Sequence, residues 1–374
     1  MPTADGSHFK NNIYTPQRQM RLLLQWTIMI PLLAWALLFS GLAVDSAFFK
    51  ALAGILLMLS IMSAVHHSEI IAHRVGEPFG TIILAVAVTI IEVSIIISLM
   101  ISGGQQAEAL ARDTVFSATM LILNGIIGIC LFIGGLRFRE QSFSKHSATI
   151  GLVSIVSILV FTMIFPSYTT SVEGPYFSKP QLVFVSITCL IIYASFLFAQ
   201  TTRHREYFLA DDNMSSKDPI MISSTVLTVS LIFLLISLGI VVLLAKQLSP
   251  TIESFVVRNN LPKSLVGVII AAVILLPEGI AAIFAAANNK VQTSLNLALG
   301  SALASIGLTI PSVAVVSGML GMNLILGLDI KSIILLGLSI VILILSLTSG
   351  RSNIIYGIIL LMNLLAFIFL MIYP

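Results

Sequence analysis

Residues 79–102 read FGTIILAVAVTIIEVSIIISLMIS, a run of 24 residues with one charged side chain, Glu92. A helix needs about 20 mostly apolar residues to cross the hydrocarbon core of a bilayer, which is roughly 30 Å thick. The run is continuously apolar and does not alternate, which is typical of a membrane-spanning helix and not of a strand in a membrane barrel. The stretch therefore predicts a transmembrane helix that carries a carboxylate near its middle.

The composition of the whole chain also indicates that lipid surrounds it. Hydrophobic residues make up 57% of the 374 residues and charged residues only 9%, whereas about 25% of an ordinary soluble domain is charged. A soluble fold of this size could not cover its surface with so few charges, so lipid must surround most of the chain. The net charge of +3 is small and spread along the sequence, which suggests no nucleic-acid partner.

Ten further apolar runs of similar length accompany the quoted one, so we expect an all-α polytopic membrane protein with about 11 transmembrane helices. The predicted spans are 22–44, 47–73, 79–102, 114–136, 147–166, 181–200, 220–246, 264–288, 291–319, 331–349 and 352–373.

The Lys and Arg residues of the connections predict the orientation, because cytoplasmic segments carry the excess of both. With the N-terminus inside, the cytoplasmic segments hold 12 of these residues and the opposite side holds 7. We therefore expect a cytoplasmic N-terminus, a C-terminus outside and a location in a bacterial inner (plasma) membrane.

The two halves of the chain repeat the same landmarks. Glu69 and Glu253 are each followed five residues later by an Arg, and Glu92 and Glu278 come next in each half. One helix followed by two units of five helices accounts for eleven spans, and an odd number of spans inverts the second unit relative to the first. The predicted division is a cytoplasmic tail at 1–21, an extra helix at 22–44, a first five-helix repeat at 45–200, a cytoplasmic linker loop at 201–219 and a second, inverted repeat at 220–374.

Glu92 and Glu278 are the candidate functional residues. They are the only two of the 16 acidic residues that lie deep inside apolar runs, where a carboxylate costs several kcal/mol unless it is paired, protonated or hydrated. No Lys or Arg lies at mid-depth in any predicted span to neutralise them. Their partners are therefore expected to be protons or bound cations.

Polar neighbours complete an expected all-oxygen site. Thr89 shares a helix face with Glu92, and Pro277 and Gly279 flank Glu278, which predicts a break in that helix with backbone carbonyls free as ligands. Carboxylate, hydroxyl and amide oxygens suit hard cations such as Ca²⁺ or Na⁺. The remaining expected ligands lie in the following span of each half and are Asn124, Ser301 and Ser305.

Two carboxylates in apolar surroundings hold protons as well as cations, so the two ligands compete for the same oxygens. If the loaded site faces each side of the membrane in turn, this competition exchanges a cation for protons. The sequence thus predicts a secondary antiporter and not an enzyme. It contains no phosphate-binding loop or Gly-rich nucleotide fingerprint, so we expect no nucleotide and no cofactor, only the transported ions.

A second polar group lies near the end of the second predicted span. It includes two adjacent histidines, which could ligate a transition metal, although polar residues are ordinary at span ends. We assign this group a vestibule or pH-sensing role and keep the alternative that it is only a solvated helix end. Its members are His66, His67, Glu69 and His73, with Glu253 at the related position of the second half.

These residues are similar to a known family, the calcium/cation antiporter superfamily, and within it to the cation:proton exchanger (CAX) branch with its bacterial ChaA-type antiporters. The similarity extends from about residue 20 to the C-terminus. It is carried by residues 66–80, 89–93, 276–280, 288–290 and 300–305.

The resemblance implies that Glu92 and Glu278 are the family's paired glutamates, one in each repeat, with the ion between them. It also implies that Thr89, Asn124, Ser301 and Ser305 occupy its other polar positions. The chain departs from the family's usual Gly-Asn-Ala-x-Glu string, and it has fewer oxygens than the 6–8 that Ca²⁺ prefers.

The expected function is export of Ca²⁺, and also of Na⁺ or K⁺, in exchange for protons. Three alternatives stay open. The chain could be a Na⁺/H⁺ or K⁺/H⁺ antiporter with little Ca²⁺ transport, a Na⁺/Ca²⁺ exchanger, or a membrane-embedded acid/base enzyme. The last would need a third reactive group at mid-depth, and no predicted span offers one.

Overall fold

The chain is almost wholly helical in a computed structural model, which describes residues 26–41, 46–75, 79–103, 108–208, 223–259, 261–262 and 264–373. Two isolated β-bridges, Ser142–Arg351 and Tyr176–Ile325, are the only extended pairings in these ranges. The predicted N-terminal tail and residues 209–219 of the predicted linker lie outside the described residues.

Eleven helices of 15 or more residues follow one another in the described ranges. They are α1 (Trp26–Ser40), α2 (Ala47–Val75), α3 (Phe79–Gly103), α4 (Leu110–Phe138), α5 (Lys145–Ser167), α6 (Lys179–Arg203), α7 (Ser224–Arg258), α8 (Ser264–Ala287), α9 (Val291–Leu320), α10 (Ile330–Leu347) and α11 (Ile354–Ile372). A π-helical turn, Leu121–Ile126, interrupts α4, and a four-residue helix, Arg205–Phe208, follows α6.

Nine of these helices are long and apolar enough to cross a membrane, namely α2 and α4 to α11; α1 and the apolar part of α3, Val86–Ile101, are shorter. Large apolar side chains cover the outer surface, for example Phe184 of α6 and Leu345 of α10. The all-helical membrane fold predicted from the apolar runs is therefore confirmed.

The connections gather at two opposite ends, as alternate crossings require. At one end, Gln141 of the α4–α5 connection donates from Nε2 to Asn289 Oδ1 of the α8–α9 connection at 3.0 Å, and its backbone pairs with Ser352 after α10. At the other end, Ile325 after α9 donates its N–H to the carbonyl of Glu108 before α4 and is bridged to Tyr176 after α5. We call these the α4–α5 end and the α9–α10 end. Which of them is cytoplasmic stays a prediction.

Two apolar cores run through the bundle and meet at α3 and α8. One core joins α1, α2 and α7 to one face of α3 and α8, and the other joins α4, α5, α6, α9, α10 and α11 to their opposite face. The helix contacts also match between the predicted halves. The first helices of the two halves, α2 and α7, pack on each other, and the contact of α3 with α9 has its counterpart in the contact of α8 with α4. The two helices that carry Glu92 and Glu278 thus lie between the cores. The repeat boundaries stay a prediction.

Glycines allow the closest helix approaches. A Cβ atom on Gly357 of α11 would lie 2.5 Å from the backbone nitrogen of Phe132 in α4, and one on Gly267 of α8 would lie 2.9 Å from the backbone carbon of Asp113 in α4. Small residues at such crossings let membrane helices pack backbone against backbone. These two contacts fix α4 between α8 and α11.

Two sequence expectations are wrong in detail. The helix that carries Glu278 does not break at Pro277, because α8 continues from Ser264 to Ala287. A proline removes one N–H from the hydrogen-bond ladder and its ring crowds the carbonyl four residues earlier, but neighbouring helices in a membrane bundle make such a residue tolerable. In addition, α7 does not end near residue 246 but continues to Arg258, through Pro250.

Candidate ion-binding site

Glu92 of α3 is buried and accepts hydrogen bonds from Ser305 of α9. The Ser305 Oγ atom lies 2.7 Å from Glu92 Oε1 and 2.9 Å from Oε2, and the glutamate is only 3% exposed. One hydroxyl therefore holds both oxygens of the carboxylate at mid-helix.

Glu278 of α8 is held in the same manner by the same helix. Its Oε2 atom accepts a hydrogen bond from Ser301 Oγ, and Ser301 precedes Ser305 by one turn of α9. Hydroxyls on successive turns of a helix lie about 5–6 Å apart. The carboxylates are thus brought close together on one face of α9, where both line one cavity.

A cavity of about 120 Å³ contains both carboxylates, which is enough space for a cation and several water molecules. Thr89, Ser301 and Ser305 line it as predicted, and among the residues that the structure describes no Lys or Arg lines it. Gln200 of α6 and Asn296 of α9 also line it. Because these two lie near the ends of their helices, the cavity extends from the glutamates toward the α4–α5 end.

Four lining or neighbouring residues were not predicted from the sequence: Tyr193, Gln200, Asn296 and Thr309. The first three line the cavity, and nothing in their spacing marks them. Thr309 is buried one turn beyond Ser305 on α9; its hydroxyl lies near Glu92 without meeting the geometry of a hydrogen bond. The four-residue spacing of Ser301, Ser305 and Thr309 is the signal that could have identified it.

Asn124 does not line this cavity. Its Nδ2 atom donates to Ser339 Oγ of α10 at 2.9 Å, and its Oδ1 atom accepts from Asn363 Nδ2 of α11 at 3.0 Å. All three residues are buried. The sequence-based expectation that Asn124 lies beside the glutamates is therefore not supported, since its amide belongs to a separate polar cluster.

The histidine group also lies apart from the cavity. His67 is buried and stacks on Phe233 of α7 with ring centroids 5.8 Å apart, His66 is half-buried, and Glu69 is exposed. The side chains of His73 and Glu253 lie outside the described residues. In the described part of the chain, no group of three or more His, Cys, Asp or Glu residues could hold a metal ion. A vestibule or pH-sensing role for this group stays a prediction.

The chemistry of the cavity is that of a hard-cation site. Two carboxylates provide charge, while Ser301, Ser305 and Thr89 provide neutral oxygens. A hydroxyl has one proton to donate and two lone pairs, so both serines can ligate a cation while they still donate to the glutamates. Such oxygen donors bind Ca²⁺, Na⁺ or K⁺ in preference to transition metals.

Comparison with known proteins places the chain in a family. The sequence matches the family described as sodium/calcium exchanger protein over residues 45–202 and 229–373. The chain belongs to that family. Its members are membrane transporters and not enzymes, and both matched segments contain one of the two glutamates.

Curated relatives and a solved structure resemble this exchanger over most of its length. The protein y4hA of Sinorhizobium fredii, whose name describes an ionic transporter, is 44% identical over 302 residues, which is 81% of this exchanger and 82% of y4hA. The sodium-potassium/proton antiporter ChaA of Escherichia coli is 33% identical over 314 residues, 82% of this exchanger and 83% of ChaA. The crystal structure of the Ca²⁺/H⁺ antiporter protein YfkE superposes with a TM-score of 0.71 at 17% identity, covering 94% of this exchanger and 100% of YfkE. This last likeness shows the fold.

Proposed function

We propose that the protein is a secondary cation/proton antiporter in which Glu92 and Glu278 bind the cation and protons in competition. The observation that carries the proposal is the position of two carboxylates in one cavity that no Lys or Arg lines, each bound to a serine on adjacent turns of α9. The only partners that can neutralise them there are small cations and protons. Membership of a family of ion exchangers supports this function.

The charge of the pair explains why exchange would be coupled. Two ionised glutamates leave a charge of −2, which is costly between two apolar cores. Two protons or one Ca²⁺ would make the site neutral, and so would one Na⁺ together with one proton. The empty site keeps its charge of −2 and is therefore the form that is most costly to pass through the closed, apolar state between the two access conformations. The protein would then change conformation only with a cation or protons bound, which couples the movement of one to the return of the other.

The proposed cargo is Ca²⁺, with Na⁺ and K⁺ as further cargo. Glu92, Glu278, Ser301, Ser305 and Thr89 carry the side-chain oxygens of the site; with one oxygen from each residue, water molecules in the cavity would complete the 6–8 that a Ca²⁺ ion takes. The name of the Escherichia coli relative, a sodium-potassium/proton antiporter, favours a second candidate, a Na⁺/H⁺ or K⁺/H⁺ antiporter with little Ca²⁺ transport.

The proposed location is a bacterial inner membrane, with the N-terminus in the cytoplasm and the C-terminus outside. Two curated relatives come from bacteria, and the excess of Lys and Arg lies on the side of the N-terminus. In this orientation the cavity with both glutamates extends toward the cytoplasm. Release of the cation on the other side then requires a second conformation.

Ion-dependent proton flux in proteoliposomes tests the proposal. Purified protein is reconstituted, a pH gradient is imposed, and Ca²⁺, Na⁺, K⁺ or Mg²⁺ is added in separate runs without the others. We expect at least one of the first three cations to dissipate the pH gradient. We also expect Ca²⁺ to dissipate it in the absence of Na⁺, which a Na⁺/Ca²⁺ exchanger would not do.

Glu92→Gln and Glu278→Gln keep the side-chain shape and remove the charge, so each should abolish the flux. The matched control is Glu140→Gln, which removes an exposed carboxylate 3.4 Å from Arg351 at the α4–α5 end and should leave the flux unchanged. Full exchange in both site variants would refute the proposal, as would the absence of ion-dependent flux in the unmodified protein.

A further inference from the structure

A second cavity, of about 230 Å³, lies at the α9–α10 end of the molecule. It is formed where α4, α8 and α10 begin and α11 ends, so it lies across the bundle from the opening of the glutamate cavity. Its polar lining comprises Arg112, Asp113, Ser117, Ser264, Asp329, Lys331 and Ser332.

An ion pair occupies one wall of this cavity. Arg112 Nη2 lies 2.8 Å from Asp113 Oδ1, with the two side chains only 23% and 20% exposed, and Arg112 Nη1 donates to the carbonyl of Gly327 at 3.1 Å. The guanidinium is thus committed to two acceptors of its own chain. Asp329, which is exposed, lines the same cavity.

Ser117 supplies an independent sign of a ligand. It is wholly buried and lines the cavity, and its hydroxyl finds no hydrogen-bond partner in the described part of the protein. A buried hydroxyl without a partner is costly. A water molecule or the hydration shell of an ion in the cavity would satisfy it.

An apolar layer closes the inner end of the cavity. Phe116 of α4 and Phe367 of α11 both line it and contact each other edge to face, with ring centroids 5.5 Å apart. One or two turns deeper on α4, α10 and α11 lies the cluster of Asn124, Ser339 and Asn363. Polar groups therefore continue toward mid-membrane behind a single pair of aromatic rings.

We infer that this cavity is a vestibule that binds a hydrated inorganic cation at the α9–α10 end, with Asp113 and Asp329 as its carboxylates. The inference rests on the proposed antiport. A cation is favoured over an anion because the Arg112 guanidinium is already bound by Asp113 and by the carbonyl of Gly327. The other cation of the lining, Lys331, is exposed, and its long flexible side chain can keep its ammonium group in solvent, whereas the short side chain of Asp329 stays at the cavity. A cation that approaches Asp113 competes with Arg112 for the same carboxylate oxygen, and this competition would weaken the hydrogen bond from Arg112 to the carbonyl of Gly327.

The test measures cation dependence from each face separately, with the full chain in right-side-out and inside-out vesicles. The main variant is Asp329→Asn, because Asp329 is exposed and its side chain makes no capping hydrogen bond. We expect the half-saturating cation concentration to rise about five- to tenfold at the α9–α10 face and to stay constant at the α4–α5 face. Glu140→Gln, at the opposite end, should change neither.

Two further variants keep the inference testable. Asp113→Asn should give the same one-sided change, and Ser332→Cys, at a partly exposed position of the lining, should react with a membrane-impermeant thiol reagent only from the α9–α10 face, more slowly when Ca²⁺ or Na⁺ is present. The native cysteines, Cys130 and Cys189, are buried and add little background.

Equal shifts at both faces, no shift in either aspartate variant, or labelling that cations do not slow would overturn the vestibule. If instead Glu92→Gln and Glu278→Gln kept full exchange, the central site would be wrong, while a one-sided shift in Asp329→Asn would still establish the vestibule.

Discussion

The hydroxyl of Ser305 in α9 donates a hydrogen bond to the carboxylate of Glu92 in α3, with Oγ 2.7 Å from Oε1 and 2.9 Å from Oε2. This hydrogen bond joins two residues that are 213 positions apart in the sequence, and it holds one carboxylate of the cavity in place. It therefore has measurable consequences for ion binding.

Ser305→Ala should weaken cation binding. A hydrogen bond to a charged group contributes about 1.5–3 kcal/mol, so the half-saturating cation concentration should rise roughly 10- to 150-fold. The matched control is Ser312→Ala on the same helix, whose hydroxyl donates only to the carbonyl of Leu308. Transport assays in proteoliposomes distinguish the two substitutions. Equal effects of both would show that Ser305 stabilises its helix and has no specific role in cation binding.

Raising the pH should lower the half-saturating cation concentration. Protons and cations compete for the oxygens of Glu92 and Glu278, so removing protons favours the cation. The concentration should fall by about tenfold per pH unit for each proton displaced, over the range in which the pair is protonated. Equilibrium binding of Ca²⁺ and Na⁺ at a series of pH values measures this, and a constant affinity would contradict competition.

Asn124→Ala should reduce stability and leave cation affinity unchanged. The substitution removes one hydrogen-bond partner from each of the buried residues Ser339 and Asn363, which costs about 1–3 kcal/mol. Thermal unfolding in detergent and cation binding are to be measured on the same preparation. Asn288→Ala, which alters an exposed amide bonded to the carbonyl of Phe284, is the control. A large loss of affinity without a loss of stability would place Asn124 in the ion site after all.

Gly357→Ala should separate α11 from α4. The added Cβ atom would lie 2.5 Å from Phe132 N and 2.8 Å from Gly128 O, and backbone atoms cannot move aside as a flexible side chain can. Overpacking of this kind costs about 1–3 kcal/mol, so the unfolding temperature should fall. Gly337→Ala, where an added Cβ atom has no neighbour within 4 Å, should not lower it.

The fold could be predicted from the sequence because the bilayer imposes a simple rule on it. Each predicted apolar run corresponds to a helix, and several begin at the predicted residue, such as α8 at Ser264 and α9 at Val291. The end of α7 was predicted wrongly. Hydropathy falls after Lys246, but the helix needs only backbone hydrogen bonds to continue beyond the apolar region.

The candidate site was predicted in part. Glu92, Glu278, Ser301 and Ser305 could be identified because carboxylates are rare at mid-membrane and a four-residue spacing places hydroxyls on one helix face. Asn124 could not be placed in the same way. It lies in the π-helical turn Leu121–Ile126, where the wider turn changes the direction of side chains relative to a regular helix.

Buried neutral side chains join the connections at the α4–α5 end, where the Glu140–Arg351 ion pair is exposed. Gln141 bonds Asn289 and the carbonyl of Ala286, and Gln292 accepts from the backbone of Ser144 and donates to Ser147. None of these side chains gains or loses a proton over the physiological range, and none is screened by salt as an ion pair is. Changes in pH or in cation concentration on this side therefore act on the carboxylates in the cavity while the surrounding frame keeps its geometry.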